Sequence, residues 1–431
     1  MKKSVTESLE EGRRLCTEGD RDSALRVLGH ALQKEPLNKE LIGAIIEAES
    51  PLTDPDHIVR PDQNVDIDTY ARLKIAQKKI ADLARFVELK YLYIDVSNYC
   101  NYKCHHCRTW VPDAGKFHIP LEDIEAVLIK VGQGLESIER ITGRSIDKSE
   151  IMVQPQGYGE PLMYPHFEQT LKLINDYGFA VKLNTNGSLL SGRRADLLAE
   201  ANIKDINVSI DASSPEMYAK FRKGGDLRVV TENLEAFIAR FKGKAQRPTF
   251  AVSFCNAPLN SPELHDFCRQ WAHKVDRVFI QRFRDYTKDK DTSRDDEIEQ
   301  IGMERHFCNR LPGYLTIKSN GDAISCVCGT LNVGNIFTQS FEDVFLSGKR
   351  LQTFHCQETG KYDDIDACRD CRKWYEQSYK SNTGLLDIDG TDYLVVKSFS
   401  STTILNQHGH SINKDFDRIS MDDPDFAPPP L

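Results

Sequence analysis

No run of apolar residues in this chain of 431 comes near the roughly 18 that a membrane span needs, so a spanning role is excluded. The opening stretch, MKKSVTESLEEGRR, has two lysines but lacks the apolar core of a secretory signal, and the expected address is the cytoplasm. Positive charge is also in short supply. Lys and Arg number 56 against 65 Asp and Glu, a net charge of −9, which leaves no broad basic field for nucleic acid. A charged substrate would have to meet a local basic pocket. The composition, 40% hydrophobic, is that of a soluble globular protein, long enough for two or three domains of roughly 100–200 residues.

Cysteine is not scarce. There are twelve, and without an export signal they argue for metal or redox chemistry over a disulfide framework. They also cluster, three at 100–107 and six at 308–371. The stretch 91–107, YLYIDVSNYCNYKCHHC, reads as a strand opening into a loop with Cys100, Cys104 and Cys107 spaced C-x3-C-x2-C. One short loop so spaced can wrap a face of an iron-sulfur cubane, whereas a structural zinc site wants four closed ligands. Three thiolates leave one iron of a 4Fe-4S cluster open to a ligand, which points to catalysis.

Residues 4–41 read as two amphipathic helices broken at Gly19-Asp20, with Gly12, Leu15, Ala24, Leu28, Ala31 and Pro36 where a tetratricopeptide (TPR) repeat has small and apolar positions. A single repeat cannot bury its face alone, so this hairpin is expected either to cover the rest of the fold or to bind a partner protein. Cys16, on this helix, reads as a small buried hydrophobe. A proline-bearing connector over 50–68 and a helix over 67–87 lead to the first strand. Strands are expected at 92–96, 151–156, 179–184, 205–210, 249–254 and 275–281, alternating with helices at 120–141, 164–176, 193–201, 227–241 and 262–272. Such alternation argues for parallel strands joined by crossover helices, with the active site at the strands' C-terminal ends. The charged run 288–299, KDKDTSRDDEIE, reads as a solvated loop before a cysteine-rich module, and the end of the chain as a polar tail.

The cysteine loop after the first strand resembles the signature of the radical SAM superfamily, with His106 where an aromatic residue usually precedes the last cysteine. The resemblance implies an α/β fold: a partial (β/α)6 barrel with an N-terminal helical, TPR-like extension and a small C-terminal SPASM/twitch domain. The corresponding boundaries are 1–87 for the extension and linker, 88–290 for the barrel, 300–400 for the auxiliary-cluster domain and 405–431 for a disordered tail. After the second strand, GYGEP carries Gly157, Gly159, Glu160 and Pro161. Glycines there allow close backbone approach to a ligand, and a carboxylate can take a ligand ammonium. The segment is similar to the family's GGEP motif, which binds the methionyl amino group of S-adenosylmethionine (SAM). Asn184 and Asn186, in LNTNG, and Ser209, in VSIDA, fall where the family contacts the SAM ribose and carboxylate. Arg222, in FRKGG, either completes a carboxylate clamp or is a surface arginine near a helix end.

Cys308, Cys326, Cys368 and Cys371, the last two as C-x2-C before a WY pair, resemble the auxiliary-cluster module of SPASM and twitch enzymes. With no cysteine beyond Cys371, the shorter twitch form holding one auxiliary 4Fe-4S cluster is implied. Cys328 and Cys356 are left over, as bystanders or an alternative ligand, and four-thiolate zinc is the competing reading. Cys255 closes the fifth strand at the end where chemistry occurs, where a thiol could return a hydrogen atom to a substrate radical. Cys268 lies on a helix.

The implied reaction is reductive cleavage of SAM to a 5′-deoxyadenosyl radical that abstracts a substrate hydrogen atom, fed by an external electron donor such as flavodoxin or ferredoxin. An auxiliary cluster that accepts the electron gives oxidation, as in aminocyclitol dehydrogenases. A thiol that returns hydrogen to the opposite face gives epimerisation. A polyhydroxylated small molecule is the expected substrate and peptide modification the alternative. A non-enzymatic electron-transfer protein would explain the cysteines but leave GYGEP, NTNG and SIDA without use.

Overall fold

The computed structural model describes residues 4–34, 40–41, 44–45, 48, 88–107, 115–142, 144–244, 246–283, 305–308, 310–326, 330–369, 371, 382–398, 401–406, 416–423 and 426–427. The expected connector, the helix at 67–87, the charged run 288–299 and Cys328 lie outside these residues. The chain divides into two compact units, residues 1–88 with 131–147, and residues 89–130 with 148–431.

In the first unit, α1 (Val5–Thr17) and α2 (Arg21–Lys34) form a hairpin. Ser4 and Glu7 close a capping box at its start, each side chain bonding the other's backbone N–H. Gly19, at φ +83°, makes the break. A Cβ on Gly12 would stand 2.5 Å from the Leu28 side chain, so only glycine lets the helices approach there. Ala24, Leu28 and Ala31 are buried, while Cys16 is only half-buried.

The second unit is organised on six parallel strands: β1 (Tyr91–Ile94), β2 (Met152–Pro155), β3 (Ala180–Thr185), β4 (Ile203–Ser209), β5 (Thr249–Asn256) and β6 (Arg277–Arg282). Each pairs with its successor, which is the partial barrel expected of six βα units. The crossover helices fall within a few residues of expectation, at Leu121–Thr142, Phe167–Asp176, Gly192–Glu200, Leu227–Ala239 and Leu264–Trp271. Each apolar face is buried, Leu227, Val230, Leu234 and Phe237 being the i, i+3, i+7, i+10 series of one helix. A further helix, Pro215–Phe221, has no counterpart in the sequence reading. Its seven residues are too few for periodicity to show, but Ser214 caps it through the Met217 N–H and Pro215 fits its first turn.

An open parallel sheet has two raw edges, and the C-terminal residues pair with both. β7 (Tyr314–Ile317), β8 (Asp322–Ile324) and β9 (Asn332–Asn335) extend it beyond β1, β7 running parallel to β1. β12 (Ser401–Leu405), β11 (Thr391–Lys397) and β10 (Asn382–Ile388) extend it beyond β6 as an antiparallel meander. Asp389 and Gly390, at φ +52° and +83°, make the two-residue turn that joins β10 to β11. Within 405–431, β13 (Arg418–Ile419) runs parallel to β10. Phe426 is buried there, its carbonyl accepting the Thr402 hydroxyl at 2.7 Å. Ile419 and Phe426, apolar residues in a largely polar segment, give that stretch something to pack.

Candidate active site

The loop after β1 is fixed by what surrounds it. The N–H groups of Lys103 and His105 donate to the carbonyls of Lys223 and Phe221, each at 2.8 Å, at the end of the short helix Pro215–Phe221. Tyr102 is buried edge-on against Tyr218, with ring centroids 6.4 Å apart. A Cβ on Gly225 would lie 2.6 Å from both rings, which accounts for the second glycine of FRKGG.

Ten residues singled out in the sequence line one cavity of about 190 Å³: Cys100, Cys104, Cys107, Gly157, Gly159, Glu160, Asn184, Asn186, Ser209 and Arg222. Burial pushes the Cys100 thiol up to about 12, and the neighbouring Cys104 and Cys107 add to the rise. Cys104 is likewise raised by burial, with the Arg222 guanidinium pulling the other way. Ligation as thiolates therefore requires a cationic partner, which cluster iron provides. No fourth cysteine lines this cavity among the described residues, so the donor set fits a cluster with one open iron.

The two GYGEP glycines serve the chain itself. A Cβ on Gly159 would stand 2.5 Å from the Tyr99 carbonyl and 2.6 Å from that of Ser97, and one on Gly157 would collide with Asp95. The approach they permit brings the β2 loop onto the cysteine loop, where Gly159 N–H donates to Ser97 and Glu160 N–H to Tyr99. Glu160 is buried, and its carboxylate accepts from the Thr185 hydroxyl at 2.6 Å, the Asn186 N–H at 2.8 Å and the Leu162 N–H at 3.2 Å. Burial raises its pKa, and those three donors oppose the rise. Asn186 donates to Asn101 at 2.9 Å and to the Cys100 sulfur at 3.9 Å.

Arg222 is not on the surface. It is buried, paired with the fully buried Asp211, and donates to the Cys104 sulfur at 3.5 Å. Asp211 holds a left-handed backbone at φ +64° without being glycine, a strain its contacts must offset. Its other carboxylate oxygen accepts the Cys255 N–H at 2.7 Å, so one side chain ties Arg222 to the end of β5.

A second cavity, of about 660 Å³, adjoins the first and shares His106, Gln156, Asn184 and Ser209 with it. His106 packs 5.2 Å from Phe221, taking the place of the usual aromatic residue at this boundary. Cys255 lines the second cavity, buried beside Phe221, Ala257 and Phe283. Whereas a closed (β/α)8 barrel fills its interior with branched apolar side chains, here the inward positions are polar. Register partners place them in layers: Lys182 beside Asp205, Asn184 beside Asn207, Ser209 beside Ser253, Cys255 beside Gln281. Lys182, Asn207, Arg277 and Gln281 were not singled out in the sequence. Their signal was polar residues at alternate positions of apolar strands.

In the C-terminal part burial raises the Cys308 and Cys368 thiols first of all, and Cys371 lies near enough to both to add to the rise. Gln357 is a residue the sequence does not single out. It is buried, its carbonyl oxygen accepts the Cys308 N–H at 3.1 Å, and its amide donates to the Cys368 sulfur at 3.3 Å. The Cys326 sulfur accepts the Leu331 N–H at 3.3 Å. Arg350, fully buried, donates to Ser325 next to Cys326 and to the carbonyls of Leu311, Pro312 and Phe345, fastening the segments that carry Cys308 and Cys326. Cys356 is buried on the helix Gly348–Glu358, and Cys268 on Leu264–Trp271, where burial pushes its pKa up to about 12.

The family model of the Radical SAM superfamily matches residues 94–250, and that of the SPASM iron-sulfur cluster-binding domain matches residues 308–372. The chain belongs to the radical SAM superfamily. Together the two domains imply 4Fe-4S clusters and SAM as cofactors of a radical SAM enzyme. A GTP 3′,8-cyclase from Alkaliphilus oremlandii is 31% identical over 200 residues, 45% of this chain and 56% of that protein. Another, from Pelotomaculum thermopropionicum, is 31% identical over 158 residues, 35% of this chain and 42% of that protein. The chain thus spans about half the length of the curated relatives it matches. Among solved structures, BtrN in complex with AdoMet and 2-DOIA aligns at 14% identity and a TM-score of 0.40, covering 68% of this chain and 96% of that one. Streptococcus suis SuiB aligns at 17% identity and a TM-score of 0.46, covering 76% and 82%.

Proposed function

We propose that this radical SAM enzyme oxidises or epimerises a polyhydroxylated small molecule. The observation that carries the reading is the second cavity, which opens from the triad's cavity and is lined by hydrogen-bonding side chains on successive layers of the barrel. Its volume of about 660 Å³ lies within the about 300–1,000 Å³ of small-molecule sites. Asn207 donates to Ser253 at 3.1 Å and Ser253 to Ser209 at 3.4 Å, so the wall offers the closely spaced polar groups that hydroxyls need. A site built to bond hydroxyls rejects analogues that lack them, because its own buried groups are then unpaired.

When bound, the triad's cluster and SAM supply a 5′-deoxyadenosyl radical. Cys100, Cys104 and Cys107 hold that cluster, while Glu160 and Asn186 receive the methionyl end of SAM beside it. Asn184, Ser209 and His106, shared by both cavities, orient the two ligands toward each other and exclude water between them. Cys308, Cys326, Cys368 and Cys371 would hold an auxiliary cluster, which would supply an electron acceptor. Cys255 is the candidate hydrogen-atom donor for an epimerisation. The curated relatives are named for GTP.

The test is anaerobic reconstitution with reductant and SAM, followed by measurement of 5′-deoxyadenosine. Deuterium transfer from labelled polyols or peptides into that product then identifies the substrate class. Absence of 5′-deoxyadenosine from iron-replete protein sinks the reading, and transfer from peptides alone moves it to peptide modification.

A further inference from the structure

The second cavity is not electrically neutral. Lys182, Arg277, Arg282 and Arg310 line it, and no acidic residue does so among the described residues. Asp205 contacts two of them, accepting from Arg277 at 2.7 Å and lying 3.5 Å from Lys182. Leaving Arg282 aside, one negative charge stands against three positive ones, Lys182, Arg277 and Arg310, among the described residues that line the cavity, in a chain whose net charge is −9. Enclosing like charges in a low-dielectric wall is costly unless an anion joins them. Arg310 lies over the Tyr314 ring at 5.8 Å, and Tyr314 stacks on Tyr91 at 4.7 Å and on Tyr93 at 6.0 Å, so an aromatic platform holds that guanidinium at the wall. Guanidinium forks suit planar, bidentate oxygens of phosphate and carboxylate.

We propose that Arg277 and Arg310 form an anion subsite inside the barrel, and that the substrate carries a phosphate or carboxylate group which it seats. The inference rests on the cavity being the substrate's, as proposed above, and adds the substrate's charge. The layered wall fixes the polarity of binding: Arg277 opens β6 while Cys255 lies next to the end of β5 and Ser209 closes β4, so the anion lies toward the strands' N-terminal ends. The hydroxylated part is then left near the triad's cavity. Lys182 with Asp205 sets the floor and keeps one cation compensated.

Calorimetric titration of the reconstituted full chain with inorganic pyrophosphate, and separately with citrate, tests this. At least one probe is expected to bind in a salt-sensitive manner, the tighter of the two naming the anion. Arg277→Gln and Arg310→Gln should each weaken it by about tenfold or more. Arg310→Gln removes no partner of Asp205, so it keeps the test open if Arg277→Gln fails to fold. Binding of neither probe, or binding that survives both substitutions, overturns the subsite. Release of 5′-deoxyadenosine from the same preparation is scored separately. Anion binding without SAM cleavage sinks the radical reading and leaves the subsite, and cleavage without anion binding does the reverse.

Discussion

The Arg222 guanidinium donates to the Cys104 sulfur across 3.5 Å while it is ion-paired with the buried Asp211. Removing one partner of a buried pair leaves the other charge unsolvated, so Arg222→Gln should cost about 3–5 kcal/mol of unfolding free energy in a urea melt. Arg222→Gln with Asp211→Asn should recover part of that loss. A cation beside a ligand sulfur also favours the more negative, reduced cluster. The single variant should therefore show a lower midpoint potential in an EPR redox titration, and an unchanged potential would reduce Arg222 to a counter-ion of Asp211.

Glu160 combines two duties that one substitution can separate. Its carboxylate accepts three protein hydrogen bonds at the meeting of the β2 and β3 loops and also lines the triad's cavity. In Glu160→Gln the amide group must face one of those donors and the negative charge is lost. SAM affinity, read by equilibrium binding, should fall by about 1–3 kcal/mol. Glu160→Asp keeps the charge but draws it back by one methylene. If both variants lose stability while SAM binds as before, Glu160 is a loop fastener alone.

The triad, GYGEP, NTNG and SIDA were legible because each is a short motif where a strand ends, and strand ends are where the barrel gathers its ligands. The charged interior was not. Lys182 and Asp205 alternate with apolar residues, and alternation on a strand reads equally as a solvent-facing side, since only closure of the sheet decides which face is enclosed. Arg222 was legible as a motif, but its burial depends on Asp211, a partner eleven residues away across a turn that only the fold closes. The meander beyond β6 carried its own sign. Asp389-Gly390 between two apolar runs is a strong hairpin signal, hidden here by the polar segments on either side.

Gln357 has no motif, and its role follows from two bonds, one to the Cys308 backbone and one to the Cys368 sulfur. Hydrogen bonds to ligand sulfurs raise a cluster's potential by stabilising its reduced form. Gln357→Leu should lower the auxiliary midpoint and leave that of the triad's cluster in place. Gln357→Glu keeps the acceptor for Cys308 but sets a negative charge near Cys368, so its shift should be larger in the same direction. Equal potentials in wild type and both variants would show that the residue only packs.

Cys255→Ala separates the two outcomes proposed for the substrate radical. The end of β5 is held through backbone atoms, since Cys255 N–H donates to Asp211 at 2.7 Å and its carbonyl accepts from Asn260 at 2.9 Å. Alanine keeps both bonds and removes one sulfur from a small apolar cluster, at a cost of about 1 kcal/mol. Iron content, SAM affinity and 5′-deoxyadenosine formation should therefore match wild type. In an epimerase the thiol must return a hydrogen atom to the face opposite the abstraction, so the variant should form 5′-deoxyadenosine without epimer. In a dehydrogenase the thiol takes no part in the reaction, and the oxidised product should persist. Loss of epimer in Cys255→Ala assigns the donor to this thiol; undiminished oxidised product removes it from the mechanism and leaves Cys308, Cys326, Cys368 and Cys371 to carry the acceptor.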